Sequence, residues 1–229
     1  MRRLYVLLGV LTLLVTTSAI PAIAQDYYEE NYVLHYSGGG SMVEYIELDT
    51  SQLNELLISE NFEPLSDNII LYGLDFFSQT EDNLRYSFFG ATGKNYLDKN
   101  GKYVGLSLSN WGIWLEQVFS LTDIAAVSVG GSTSLGKMRL ELTHDETGDF
   151  QKGISNPYQT LYEAPFFMIK PQVGVNLSLK RYMDLEIKTG YYYSHLLNDW
   201  SGGNDSITGH QPMEEMHGPS ILFNLNFGF

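Results

Sequence analysis

Asp75, Arg85, Glu116, Lys170, Asp184, Glu186 and Lys188 stand in segments where apolar and polar residues alternate, so each falls on the polar side of a strand with a period of two. Opposite charges gathered on one face serve either as the lining of a transport path or as ion pairs that fill a narrow interior. Eight strands, the number read below, enclose a space that side chains themselves fill, which favours the ion-paired lumen. Two other clusters invite metal chemistry. His210-Gln211-Pro212-Met213-Glu214-Glu215-Met216-His217 holds two imidazoles, but Pro212 breaks any helical frame and the spacing is not that of a zinc site. Asp145, Glu146 and Asp149 lack the positional pattern of a Ca²⁺ loop. Both read as solvated loops. A rim hydrolase would need a nucleophile, a base and an orienting acid; Ser194, His195 and Glu163 are candidates, as is His144 with loop acids, yet no G-x-S-x-G signature accompanies them. The expectation is therefore no catalytic residue, no metal and no cofactor.

The elements that must carry these residues are strands. The last residues, Ile221-Leu222-Phe223-Asn224-Leu225-Asn226-Phe227-Gly228-Phe229, put Ile221, Phe223, Leu225, Phe227 and Phe229 on one face and mainly small or polar residues on the other. Phe167, Ile169, Val173, Val175, Leu177 and Leu179 likewise oppose Lys170, Gln172, Gly174, Asn176 and Ser178. Met183, Leu185, Ile187, Tyr191 and Tyr193 oppose Asp184, Glu186, Lys188, Gly190 and Ser194. Eight strands are expected near 32–47, 68–78, 84–93, 102–119, 123–142, 166–180, 182–196 and 218–229. Connections after the second, fourth and sixth are short and those after the first, third, fifth and seventh longer, the layout of an up-and-down barrel with both ends on one rim.

Three local features depart from plain alternation. Leu53, Leu56, Leu57 and Phe62 fall near the helical period, with Asp49 or Thr50 before them and Pro64 after, so a short amphipathic helix is expected over 50–61 in the first long loop. Gly38-Gly39-Gly40 interrupts the first strand and leaves room for a bend or for a bulky neighbour such as Tyr86. In the fifth strand, Ala125, Val127 and Val129 give way after Gly136 to Met138, Leu140 and Leu142 in the opposite phase, which a bulge at Gly130-Gly131 or Gly136 would explain. Tyr191, Tyr193, Trp111, Trp114, Phe167 and Trp200 lie toward strand ends, where aromatic rings settle at membrane–water boundaries.

Composition bounds the setting. Arg2 and Arg3, an apolar run from Leu4 to Val15 and small residues ending Ala22-Ile23-Ala24 form a cleavable signal peptide over 1–24, leaving one barrel domain over 25–229. Loss of those two arginines takes the formal charge from −14 to −16, which excludes nucleic acid as a natural partner. There is no Cys, so strand pairing rather than disulfides holds the fold. After the leader no apolar run reaches the roughly 20 residues of a spanning helix, so any membrane span consists of strands.

The leader, the alternating segments, the loop asymmetry and the closing strand from Gly218-Pro219 to Phe229 together resemble the small outer-membrane β-barrels typified by OmpA transmembrane domains and OmpX. That resemblance implies an all-β, eight-stranded antiparallel up-and-down transmembrane barrel in the bacterial outer membrane. It also implies that the barrel-assembly machinery reads Phe223, Leu225, Phe227 and Phe229 during biogenesis. The implied partners are outer-membrane lipid around the wall and an extracellular ligand at the long loops; the implied role is structural or surface interaction, without a wide pore. Two alternatives stand beside it: a soluble secreted barrel binding an apolar ligand, since alternation alone does not say which face is inward, and an outer-membrane lipid hydrolase.

Overall fold

The computed structural model describes residues 37–99, 101–144, 158–180, 182–202, 205–206, 213 and 215–228. Its strands are β1 (Ser37–Glu47), β2 (Asn68–Gln79), β3 (Leu84–Lys99), β4 (Lys102–Ser120), β5 (Ala125–His144), β6 (Tyr158–Lys180), β7 (Met183–Leu196), the two-residue β8 (Ser201–Gly202) and β9 (Asp205–Ser206), and β10 (Glu215–Gly228). Each long strand pairs antiparallel with its neighbours in the order β5-β4-β3-β2-β1-β10-β7-β6, and β6 pairs back onto β5. The sheet is thereby a closed eight-stranded up-and-down barrel with no free edge among these strands. From Gly136 the register runs through Asn110, Ala91, Gly73, Met42, Asn224, Glu186 and Asn176 and regains β5 at Ala126, a stagger of ten residues. With about 3.3 Å per residue and about 4.8 Å between strands, that stagger tilts the strands by about 40° from the barrel axis.

At that tilt each residue climbs about 2.5 Å along the axis, so the 20 residues of β5 span about 50 Å, roughly twice the apolar band of an outer-membrane barrel. The wall is divided accordingly. In the half nearer the chain ends, Leu74, Phe76, Phe88, Ile113, Leu115, Val175, Ile187 and Phe223 are exposed while Asp75, Arg85, Glu116, Glu186 and Lys188 are buried. In the other half the order reverses: Leu106, Leu108, Met138, Leu140, Ala164 and Phe166 are buried, while Lys94, Lys137 and Arg139 face out. Val175 is 44% exposed and Asn176 7%, so the oily side of β6 is its outside.

This division corrects the bulge expected in β5. The register of β5 with both neighbours runs unbroken from Ala125 to His144, so Val127 and Val129 point outward and Met138 and Leu140 inward in one continuous phase. It is the burial pattern that inverts: outside, charged residues take the place of apolar ones, and inside, a packed apolar core takes the place of the charges. The third connection is also shorter than expected: β3 continues to Lys99, which pairs with Lys102, and Gly101 supplies the positive φ of 74° that a two-residue hairpin turn favours. β5 and β6 lengthen in the same way, which shortens the fifth connection to 145–157. The proposed leader lies outside the described residues.

The helix in the first long loop, α1 (Ser51–Ser59), lies within the expected span and caps the apolar half of the barrel through Leu53 and Leu57. Thr50 occupies its N-cap position without a side-chain cap; its hydroxyl instead donates to the Asp67 carboxylate. Asn54 ties the helix down: its Nδ2 donates to the Leu65 carbonyl at 3.0 Å, and the Leu65 amide donates to its Oδ1 at 2.8 Å. The glycine triplet does not interrupt β1, which stays paired on both sides throughout. The side chains that crowd it are Phe76, Phe77, Asn224 and Asn226; Tyr86, on the outer face, is not among them.

Candidate functional site

In the half nearer the chain ends, alternation turns the polar face of each strand into the lumen, where β1, β2, β3, β4, β6 and β7 contribute charges and β5 and β10 contribute serines and asparagines, and the closed register turns these faces toward one another. Arg85 on β3 meets Glu186 on β7 at 2.9 Å. Lys188 lies 3.1 Å from Glu186 and 2.8 Å from Glu116 on β4, while Gln172 on β6 donates to Glu116 at 2.6 Å. The result is a chain of alternating charge, Arg85–Glu186–Lys188–Glu116, that crosses the barrel. Aromatic rings line it: Lys188 Nζ sits 4.0 Å from the centroid of Trp114, which stacks on Phe89 at 4.7 Å, and Arg85 lies over Phe77 at 5.1 Å. Asn176 accepts a hydrogen bond from Arg85 at 3.1 Å. Lys170 forms a separate ion pair with Glu44 of β1. Asp75 is buried in the same part of the lumen, and Asp184 lies at a mouth of about 30 Å³ shared with Arg85, Asp123 and Asn176.

Glu44 was the buried ion-pair member that sequence reasoning missed. Val43 and Tyr45 are exposed on either side of it, a signal that was present, but Met42 and Ile46 turn inward alongside it and blur the polar face. Trp114 and Trp200 correct a second expectation. Both are about 1% exposed: Trp114 belongs to the lumen, and Trp200 donates its indole N–H to the Met213 carbonyl at 3.0 Å in the apolar cap. The outward aromatic ring is instead built from Tyr45, Tyr72, Trp111, Phe167, Tyr191 and Tyr193.

Above that ring the outer wall turns charged. On β5, Lys137 and Arg139 follow the exposed Leu135, and both reach Glu163 of β6, at 2.9 Å and 2.6 Å. Hydrogen bonds from Lys137 and then Arg139 hold the Glu163 carboxyl below its ordinary range. Lys94 pairs with Glu141 at 2.9 Å and covers the Tyr103 ring at 5.1 Å, and bonds to Tyr103 and Glu141 hold its ammonium above the ordinary range. Where the segment that follows α1 meets the β3–β4 hairpin, a cavity of about 230 Å³ is lined by Asn61, Phe62, Glu63, Leu97, Lys99, Lys102 and Val104. Its lysines are engaged: Lys99 binds Glu63 at 2.7 Å, and Lys102 donates to the Asn61 carbonyl at 2.9 Å.

The hydrolase candidates do not converge. Ser194 is buried inside, where its hydroxyl donates to the Met216 carbonyl at 3.2 Å, whereas His195 is exposed outside, 4.0 Å from Glu215. Adjacent residues of one strand face opposite ways, so these two cannot act as nucleophile and base on one group. Glu163 is committed to Lys137 and Arg139. Asp145, Glu146, Asp149, His210 and Glu214 lie outside the described residues, as does the side chain of His144; His217 stands against Tyr191 with ring centroids 6.2 Å apart. Among the described residues no cluster of His, Cys, Asp and Glu has the makings of a metal centre. Of the closing-strand residues, Phe223 and Phe227 are exposed on the outer wall, Leu225 is half-buried between them, and Phe229 lies outside the described residues.

The architecture is that of the small eight-stranded outer-membrane β-barrels. Neisserial surface protein A (NspA) shares it, with a TM-score of 0.50 at 11% identity over 85% of this chain and 97% of its own. Ail, the attachment invasion locus protein of Yersinia pestis, solved in complex with the heparin analogue sucrose octasulfate, aligns over 85% of this chain and 99% of its own at 9% identity and a TM-score of 0.48. The translocator domain of the autotransporter NalP from Neisseria meningitidis aligns over 96% of each chain at 9% identity and a TM-score of 0.41. No protein-family model and no curated protein matches the chain. At these identities the likeness is one of fold.

Proposed function

We propose that this chain is an integral protein of the bacterial outer membrane, with a lumen sealed by its own side chains and an extracellular extension of the wall that serves surface interaction. The observation that carries the reading is the inversion of polarity with height. Apolar residues face out around a charged lumen over one half, and charged residues face out around an apolar core over the other. Hydrocarbon explains the first and water the second. The wide-pore reading has no support in a lumen crossed by paired charges and capped by Leu53, Leu57 and Trp200. A soluble apolar-ligand barrel would bury Phe76, Phe88, Ile113 and Phe223, which are exposed here.

Lipid is the first partner of such a wall. Lys137 and Arg139, just beyond the ring of Trp111 and Phe167, stand where headgroup phosphates lie. The extended β3–β4 and β5–β6 hairpins and α1 form the surface open to an extracellular ligand. During biogenesis the assembly machinery reads Phe223, Leu225, Phe227 and Phe229, and cleavage after Ala24 precedes insertion.

The absence of cysteine allows a direct test, because single introduced thiols report alone. In intact cells an impermeant maleimide should label Arg139→Cys and leave Val175→Cys unreacted, and the purified barrel should carry no sustained current across a planar bilayer. Recovery of the chain as a detergent-independent soluble protein, or labelling of both thiols alike, would overturn the membrane reading. A steady open conductance would overturn the sealed lumen.

A further inference from the structure

The cavity between the β3–β4 hairpin and the segment after α1 sits on the upper end of the apolar core. Leu97 pairs in register with Val104, and Lys99 with Lys102, so all four share the inward face of the hairpin, and Phe62 closes over them. Val104 is buried in the core cluster, while Phe62 and Leu97 pack against that core and stay only partly buried. Apolar surface is thus left uncovered at the floor of an open cavity, and an apolar occupant would remove it from water. A cavity of about 150 Å³ admits benzene, so the 230 Å³ here has room for one ring carrying a small polar group.

The rim carries a surplus cation. Its ionisable residues are Glu63, Lys99 and Lys102; Lys99 is paired with Glu63 at 2.7 Å, and Lys102 forms no ion pair among the described residues. Lys102 is held instead by the carbonyls of Asn61 at 2.9 Å and Glu60 at 3.4 Å, with its Nζ 4.9 Å from the centroid of Phe62. An ammonium has three N–H donors, and these carbonyls take two of them. The third donor and the unbalanced charge are left for a ligand. Asn61, in the left-handed region at φ 60° just past the helix end, sets the turn that presents its carbonyl to Lys102, so the cation is in position before anything binds.

We propose that this cavity binds a small amphiphilic monoanion, an aromatic or short-chain carboxylate, with its apolar body on Phe62, Leu97 and Val104 and its carboxylate on Lys102. Such a ligand is the partner of the extracellular surface assigned above, and only the side of the membrane on which it binds rests on that reading. Charge complementarity selects an anion, and the apolar floor selects its body. A sugar carries a hydroxyl on nearly every carbon, and those facing Leu97, Val104 and Phe62 would lose their partners in water without gaining new ones. A bare phosphate or sulfate would leave the floor uncovered. One carboxylate on a hydrocarbon body satisfies both, and it bridges the segment after α1 to the β3–β4 hairpin.

The test uses the full-length barrel in lipid nanodiscs, without detergent that would itself enter an apolar cleft, titrated with sodium benzoate and followed by amide NMR shifts. Saturable shifts are expected over 61–63, 97–99 and 101–104, and benzyl alcohol, similar in shape but uncharged, should bind about ten-fold more weakly. Lys102→Met removes the ammonium and should weaken benzoate by about ten-fold while leaving benzyl alcohol unchanged. Lys102→Arg keeps the charge and should bind benzoate within a few-fold of wild type, and Leu97→Trp fills the cavity and should abolish binding of both. No saturable shifts at these residues, or equal benzoate binding by wild type and Lys102→Met, would overturn the proposal. Equal affinity for benzoate and benzyl alcohol would overturn it too, by reducing the site to a plain apolar cleft. In intact cells an impermeant maleimide should label Glu63→Cys, at a rate that benzoate slows. Labelling that benzoate leaves unchanged would remove the site and keep the outward-facing wall, whereas benzoate binding by the pure barrel without labelling in cells would uphold the site and overturn only its orientation.

Discussion

The ion pair between Lys170 and Glu44 offers the sharpest measurement of what holds this lumen together. The two groups come from β6 and β1, are 3% and 1% exposed, and stand apart from the Arg85–Glu186–Lys188–Glu116 chain. With so little water in reach, replacing Glu44 by Leu leaves an uncompensated ammonium, and a buried charge stripped of its partner costs about 3–5 kcal/mol. Replacing both, as Glu44→Leu with Lys170→Met, removes the desolvation penalty together with the attraction and should return the barrel to within about 1 kcal/mol of wild type. Since Lys170→Met alone strands a carboxylate at a similar cost, the double-mutant cycle is expected to show a coupling of about 5 kcal/mol or more, equivalent to more than a thousand-fold in the folding equilibrium. Urea-induced unfolding of the barrel from lipid vesicles, followed by tryptophan fluorescence, reads all four corners. A single substitution costing less than about 1 kcal/mol would mean that water reaches the pair and screens it. A double variant as unstable as the single would mean that the site needs the charges for geometry, and the argument from desolvation would fail.

Further perturbations probe the wall, the rim and the cap. Val175→Lys places a cation on the lipid-facing side of β6 and should reduce membrane-inserted stability by about 2 kcal/mol, whereas Asn176→Ser should cost about 1 kcal/mol through the lost bond to Arg85; equal losses would contradict the assigned faces. The Glu163 carboxyl is held below its ordinary value of 4.5, so the ionised form is favoured in the folded state; its contribution is complete above that value and fades as pH falls through the lower folded value. The stability difference between wild type and Glu163→Gln, at most about 1 kcal/mol for so exposed a cluster, should therefore be constant near neutrality and vanish in strong acid, and a difference that grew on acidification would reverse the assignment. Leu57→Ala opens a void under α1 and should cost about 2–3 kcal/mol locally, seen as faster amide exchange and proteolysis over 51–65 with the barrel strands unaffected. Loss of the whole barrel in that variant would show that the cap is not a separable layer.

The barrel was legible wherever one face of a strand is apolar and exposed and the other is charged and buried. On β6 and β7 the alternation runs cleanly from Phe167 to Leu179 and from Met183 to Tyr193, and the lumen charges follow from it. Legibility failed where the surroundings change. Around Met42–Ile46 both faces are largely apolar, because the outer wall still carries Val43 and Tyr45 while the interior has already become a hydrophobic core at Met42 and Ile46, and Glu44 is lost in that overlap. At Gly136 the same transition mimics a bulge, since hydrophobicity moves to the other face with no change in the backbone. Trp114 was hidden for a related reason: Trp111, Ile113 and Leu115 outside and Trp114 inside make a run that is apolar on both sides.

That failure is informative about the molecule. A strand that only spans a bilayer needs one polarity pattern, and about 10 residues suffice for it. β4, β5 and β6 have 19, 20 and 23 residues and carry two patterns of opposite sense in series. The second half therefore has its own hydrophobic core of Leu106, Met138, Leu140 and Phe166 under the α1 cap, and would remain folded without lipid around it. On the membrane reading proposed above, the charged lumen has the complementary dependence: its paired ions are stable only while the wall excludes water, and lipid would hold that wall in place. Stability on the two sides of the aromatic ring thus comes from different sources, so detergent exchange should perturb the lumen pairs first and leave the extracellular wall, with the surface it presents, intact.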